Sequence, residues 1–191
     1  MAAFWEKSRV PPPMTARRPF ALCIAGLTLL GLFPATGRAD EAKPDPAPTL
    51  DRVGFPTGYA KTFPILRRRS DDKEQVTVYG NAPAASVTQF SALPYPNGSV
   101  LVMETMRLKP DSNGKPVEDA VTGLHVMRRE AGFGVDYGAN RAGEWEFVEY
   151  RPDGSYITPP QKSASCAACH LKDAGPARDF VFNGRFAEAS K

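Results

Sequence analysis

The middle of the chain contains three segments rich in Val, Met, Trp, Phe and Tyr, separated by polar stretches. These residue types favour strands, and the pattern predicts β-strands at residues 99–108, 121–129 and 144–150. A shorter extended run at 75–79 precedes them, and the spacing of apolar residues predicts a helix at 84–93. Because polar turns join successive strands, an antiparallel sheet is the simplest arrangement. The predicted fold class is α+β, mainly β, with a few short helices.

The N-terminal region has the layout of a secretory signal. Arg17 and Arg18 precede an apolar run at 20–33, and small residues follow before Asp40. The run has about 14 residues, whereas a transmembrane helix needs roughly 20, so we expect cleavage, export to the periplasm and no membrane span. Translation from Met14 and export by a twin-arginine route remain alternatives. The predicted segments are a secretory signal peptide at 1–39, a flexible Pro-rich arm at 40–57 and a single domain at 58–191.

The charge of the chain depends on whether the signal is counted. The whole chain has a net charge of +3, but residues 1–39 hold five of its Lys and Arg residues and one acidic residue, which leaves −1 for the remainder. A mature chain this close to neutral gives no basis for nucleic-acid binding. The basic run Arg67-Arg68-Arg69 is interpreted as a solvated turn, with docking of an acidic redox partner as the alternative.

Two cysteines and a histidine near the C-terminal end carry the candidate chemistry. Cys166, Cys169 and His170 have the spacing of covalent c-type haem attachment. Two thiols three positions apart can each bond one vinyl group of a porphyrin, and the adjacent imidazole can bind the iron. A short helix is predicted at 163–168, and the only other cysteine, Cys23, lies in the signal. A single motif implies one haem c.

Other chemistries use nearby cysteines as well. A thioredoxin-like pair fits poorly, because the strand-helix-strand pattern is absent around the motif and that chemistry does not require a histidine. A zinc site needs about four ligands, and the mature chain supplies only two thiols together with His125 and His170. Haem is the favoured interpretation, and a zinc-binding or disulfide-bonded domain stays open.

Several short motifs occur in an order that is similar to a known family. They are Phe55-Pro56-Thr57-Gly58-Tyr59, Asn97-Gly98-Ser99-Val100, Gly123-Leu124, Gly143-Glu144-Trp145-Glu146-Phe147, Ser165-Cys166-Ala167-Ala168-Cys169-His170 and Asp179-Phe180-Val181-Phe182. The sequence resembles the cytochrome P-460 family, which includes hydroxylamine-oxidising cytochromes and the beta-sheet cytochromes c-prime, over roughly residues 55–186. The resemblance implies a small antiparallel sheet on a five-coordinate or weakly six-coordinate haem, and a homodimer.

The resemblance also points to two positions on the open side of the haem. Where hydroxylamine-oxidising members carry a lysine bonded to the haem edge, this chain has Met103, and where they carry a proton-accepting carboxylate, it has His125. On the residues alone, Met103 is an iron ligand, a pocket-lining side chain or a residue away from the haem. His125 is an iron ligand, an acid/base or hydrogen-bonding group, or a structural residue. The resemblance makes three aromatic residues candidates for capping the iron: Phe90, Phe133 and Phe180.

The sequence therefore predicts a periplasmic single-haem c-type cytochrome. We expect it to bind a small diatomic (gaseous) or nitrogenous ligand, to transfer electrons to a redox partner protein, or to do both. The alternative is an oxidoreductase acting on hydroxylamine or nitric oxide, with His125 as the distal proton acceptor.

Overall fold

The computed structural model describes residues 44–182, which form a six-stranded antiparallel sheet whose strands follow one another in chain order. The strands are β1 (Ile65–Ser70), β2 (Glu74–Gly80), β3 (Val100–Pro110), β4 (Pro116–Arg129), β5 (Trp145–Tyr150) and β6 (Tyr156–Thr158). The mainly β, antiparallel class is confirmed. The predicted signal peptide lies outside the described residues. Within 44–182, no helix is long and apolar enough to cross a membrane.

Four of the six strands coincide with predicted segments, and the two edge strands were not predicted. The interpretation of Arg67-Arg68-Arg69 as a turn is wrong, because these residues lie in β1 and pair with β2. Their side chains are exposed, as predicted. An edge strand tolerates such charged residues, since its outer side faces solvent and charge there opposes edge-to-edge association. The other edge, β6, has only three residues, too few for a recognisable alternation.

The helices are short. The first two are α1 (Tyr59–Thr62) and α2 (Ala82–Ala85), and the Asn81 side chain caps α2 by accepting a hydrogen bond from the Ala84 N–H at 3.2 Å. The predicted helix at 84–93 is found only as the end of α2 and a 3₁₀ turn, because the backbone is extended at Gln89. The helix predicted at 163–168 is confirmed as α3 (Ala164–Cys169), which continues into a π-helical turn, His170–Ala174.

Alternation along the central strands gives the sheet two apolar faces with different coverings. One face carries Leu101, Met127 and Phe147 in register across β3, β4 and β5. It packs against α3 and the segment after it, and is called the helix face. The opposite face carries a second core centred on Val102, Val126 and Val148, and is called the arm face.

The arm face takes its name from the segment that covers it. Val53 is buried there, and the Asp51 carboxylate accepts hydrogen bonds from the Tyr150 hydroxyl at 2.6 Å and the Tyr156 hydroxyl at 3.0 Å. Arg52 pairs with Glu146, a buried carboxylate at the end of the sheet. The C-terminal part of the Pro-rich arm therefore makes more contacts than its composition predicts.

Candidate functional site

The cysteine motif lies on α3. Cys166 is half-buried and Cys169 is exposed, and in the described structure both are free thiols. Three residues span nearly one helical turn, so the two cysteines lie on neighbouring positions of one side of the helix. Burial raises the pKa of the Cys166 thiol. Desolvation, together with the carboxylate of Asp173, raises the pKa of the Cys169 thiol.

A buried hydrogen-bond chain fixes the start of α3 against β5. The Ser163 hydroxyl donates to the Pro160 carbonyl at 2.7 Å, so the Tyr137 hydroxyl is the donor in its 2.8 Å bond with Ser163. The same tyrosine oxygen accepts the Phe147 N–H at 3.2 Å. Burial raises the pKa of Tyr137 to about 12, so this donor is present across the physiological range. The chain positions the motif helix relative to the sheet.

His170 is held at its Nδ1 atom. This nitrogen lies 2.7 Å from the Phe180 carbonyl oxygen, and because a carbonyl only accepts, Nδ1 carries the proton. Burial lowers the pKa of His170 and favours the neutral ring, in which Nε2 has a free lone pair. The ring is flanked by Phe147 and Phe182, with centroids 4.5 and 4.8 Å away. A histidine tied at one nitrogen in this way has the usual environment of a metal-binding histidine.

A groove runs between the helix face and the C-terminal segment. It contains about 730 Å³ of space not filled by protein atoms, part of it open to solvent. Its walls are mostly apolar, and Cys166 and His170 form part of the lining. The apolar side chains of its walls are Val78, Leu101, Met127, Phe147, Val181 and Phe182. An apolar groove with a few convergent polar groups is the usual form of a cofactor site.

Met103 and His125 line the same groove. They are paired directly across β3 and β4, and the row continues to Val78 on β2 and Glu149 on β5. Met103 is half-buried, and the His125 side chain is 48% exposed. Four of the five predicted site residues therefore meet in one groove, and the fifth, Cys169, lies beside it on the same helix.

Glu149 is a member of the site that sequence reasoning missed. Its Oε1 lies 3.3 Å from His125 Nε2, and its Oε2 accepts a hydrogen bond from Thr158 Oγ1 at 2.9 Å. Only 20% of the Glu149 side chain is exposed, so the carboxylate faces its partners more than solvent. The signal available in the sequence is its parity with Phe147 on β5, which places both on the helix face.

The aromatic residues at the groove also differ from the expected ones. None of Phe90, Phe133 and Phe180 is among the residues lining the groove in the described part of the chain. Phe133 lies beneath the Arg52 guanidinium at 4.9 Å, and Phe180 contributes its carbonyl rather than its ring. The groove is instead lined by Phe147 and Phe182.

The donor set fits a haem. Two unpaired thiols on one helix turn, an imidazole with Nε2 available and a mostly apolar groove are what covalent attachment and axial iron binding require. Among residues 44–182, no three or more His, Cys, Asp and Glu side chains are grouped so as to hold a metal ion by themselves.

Comparison with known proteins agrees with this geometry. The family model for cytochrome P460 matches residues 56–183, more than half of the 191-residue chain. No curated protein gave a significant match. The matched range contains the whole sheet and every residue that lines the groove. The chain therefore belongs to the cytochrome P460 family, and this membership implies a haem cofactor.

Proposed function

We propose that the protein is an exported, single-haem c-type cytochrome of the periplasm that binds a small diatomic or nitrogenous ligand, transfers single electrons to a redox partner protein, or does both. The observation that carries the proposal is the common groove of Cys166, His170, Met103 and His125. When bound, haem supplies an iron centre that changes oxidation state by one electron and takes up a small ligand.

Each residue of the groove has a definite task in this proposal. The Cys166 and Cys169 thiols would hold the haem through two thioether bonds. His170 would bind the iron through Nε2, because its Nδ1 is occupied by the Phe180 carbonyl. The apolar walls limit the access of water and so strengthen polar contacts to whatever ligand enters.

His125 and Glu149 form the polar end of the groove in this proposal, and Met103 lies beside His125. Met103 lines the pocket, and the His125 imidazole provides a hydrogen-bonding group for the ligand. Glu149 lies against His125 Nε2 and limits the orientations of the imidazole. A thioether at position 103 cannot form the lysine-type bond to the haem edge, so no such cross-link would be expected at this position.

The second candidate function is an oxidoreductase of hydroxylamine or nitric oxide. It is favoured by the His125–Glu149 contact, which places an imidazole and a carboxylate side by side at the groove. In that function His125 accepts the proton released by the substrate. The missing lysine favours the first function over this one.

The direct test is the absorption spectrum of the purified periplasmic protein before and after acid-acetone extraction. We expect a Soret band that survives denaturation and extraction in the native protein, and its loss from the protein fraction when Cys166→Ser and Cys169→Ser are combined. Haem that is extractable from the native protein, or retained in the double variant, would contradict the covalent assignment. A protein without a Soret band would support the zinc or disulfide alternative.

A further inference from the structure

Two consecutive residues after the motif helix have an unusual backbone conformation. Asp179 has φ 49° and Phe180 has φ 59°, and among residues 44–182 these are the two non-glycine positions with positive φ. Asp tolerates the left-handed region moderately well, whereas a bulky residue such as Phe rarely adopts it. Such strain persists only where the surrounding structure imposes it, and it is concentrated at functional sites. The two residues are called the Asp179–Phe180 corner below.

The corner presents one carbonyl to the site. The Phe180 N–H donates to Gly175 O at 2.9 Å, and the Phe180 carbonyl accepts the Nδ1–H of His170 at 2.7 Å. The carbonyl thus reaches the imidazole from a segment ten residues further along the chain. Its direction depends on the left-handed turn.

A buried carboxylate anchors the corner. Asp179 is 8% exposed, and its Oδ2 accepts the Tyr95 N–H at 2.9 Å. The same oxygen lies 3.7 Å from Arg129 Nε, which makes an ion pair with it. Tyr95 is buried in the core of the helix face, and Arg129 is the last residue of β4, so Asp179 ties the corner to rigid structure.

Gly143 makes room for the side chain of Phe180, the second residue of the corner. A Cβ atom at Gly143 would lie 2.7 Å from Cε2 and 2.8 Å from Cδ2 of the Phe180 ring. These separations are below any normal contact between carbon atoms. The Phe180 ring therefore packs against the bare backbone of Gly143, and any larger residue there would displace it.

We propose that Asp179 and Gly143 are positioning residues for the proximal imidazole: together they fix the corner that holds the Phe180 carbonyl on His170 Nδ1. The inference rests on the proposed function, in which His170 binds the haem iron. A hydrogen bond from Nδ1–H makes an imidazole a stronger electron donor to its metal. Stronger donation favours ferric over ferrous iron, so the corner lowers the reduction potential.

The test measures the reduction potential of the purified holoprotein in three variants. Asp179→Ala removes the anchor, Asp179→Asn removes the charge but keeps an oxygen that can accept the Tyr95 N–H, and Gly143→Ala pushes the Phe180 ring without changing any charge. We expect upward shifts in Asp179→Ala and Gly143→Ala, and a smaller shift in Asp179→Asn. If Asp179→Ala yields no folded holoprotein, Gly143→Ala decides the matter alone.

Matched controls separate positioning from general effects. Asp119→Asn removes another paired carboxylate, in the β3–β4 hairpin. Gly114→Ala places alanine at a glycine whose φ of 76° is close to the 63° of Gly143 but which has open space around it. Both should leave the potential unchanged. If the potential shifts equally in Asp179→Ala and Asp179→Asn and does not shift in Gly143→Ala, the shift comes from the lost charge of Asp179 alone. That result would overturn the inference. Lower unfolding temperatures with unchanged potentials would also overturn it. Absence of covalent haem from the native protein would instead contradict the proposed function.

Discussion

Met103 and His125 are paired across β3 and β4, which brings together the two positions where the resemblance predicts a departure from the hydroxylamine-oxidising members of the family. A lysine amine can bond to a haem carbon, whereas a thioether has no nitrogen to supply. We therefore predict that a haem-containing proteolytic peptide will have the mass of the peptide plus one haem joined by two thioethers. Mass spectrometry checks this directly, and hydroxylamine should be oxidised slowly at most. A further side-chain bond to the haem would contradict the prediction.

His125 is the residue expected to act on a bound ligand. We predict that His125→Ala will release nitric oxide from the ferrous protein roughly 3–10-fold faster, because a hydrogen bond contributes about 0.5–1.5 kcal/mol. Stopped-flow measurement of the dissociation rate checks this. An unchanged rate would count against any distal role for the imidazole.

Glu149 should act only through His125, which a double-mutant cycle can detect. We predict that Glu149→Gln also quickens nitric oxide release, and that this effect disappears when His125→Ala is already present. Glu118→Gln is the matched control, since its carboxylate lies in the exposed first part of β4 and accepts a hydrogen bond from Gln75. Additive effects of the Glu149 and His125 changes would show that Glu149 acts independently.

The Cys166–His170 motif can be recognised in the sequence, at the scale of residues, whereas its surroundings cannot. Cys166, Cys169 and His170 are recognisable because their chemistry depends on spacing along the chain. Glu149 and Phe182 join the site through strand register and the path of the C-terminal segment. Such contacts depend on distant parts of the chain, so short-range patterns carry little information about them.

At the scale of elements, the position of α3 depends on the hydroxyl of Tyr137. We predict that Tyr137→Phe lowers the free energy of unfolding by about 1–3 kcal/mol, because it leaves the buried Phe147 N–H without its acceptor. Denaturant unfolding followed by circular dichroism measures this change. The Soret band should also shift if the motif helix moves relative to the sheet.

Tyr156→Phe is the matched control for Tyr137→Phe. Its hydroxyl also makes a hydrogen bond, to Asp51 at 3.0 Å, but the side chain is exposed and water can replace the lost partner. Its effect on the free energy of unfolding should therefore be within about 0.5 kcal/mol. Equal losses in the two variants would mean that the buried chain from Tyr137 has no special role.

The elements that were predicted correctly are those with long, regular patterns. β3, β4 and β5 have buried residues on both faces and many strand-favouring side chains. β1 was missed because three consecutive arginines mask its strand character, and the predicted helix at 84–93 failed because the extended backbone at Gln89 interrupts it. Apolar spacing alone does not reveal where a helix is interrupted.

At the scale of the whole molecule, the two faces of the sheet differ in what covers them. The arm face is closed by the segment around Val53, while the helix face opens into the groove. The composition of the arm predicted loose packing, because Pro, Gly and charged residues usually indicate an unstructured link. Asp51 and Arg52 nevertheless hold this part of the arm against the sheet, because they pair with Tyr150 and Glu146, which are far away in sequence.

The mature protein should be shorter than the full chain at its N-terminus. An apolar run of about 14 residues at 20–33 is shorter than the roughly 20 that span a bilayer, and small residues precede Asp40, so we expect cleavage near that position. Intact-mass measurement of periplasmic material should give a chain of about 152 residues plus one haem. Two haems would contradict the single attachment motif. Recovery of the uncleaved chain in the membrane fraction would contradict export by a cleaved signal.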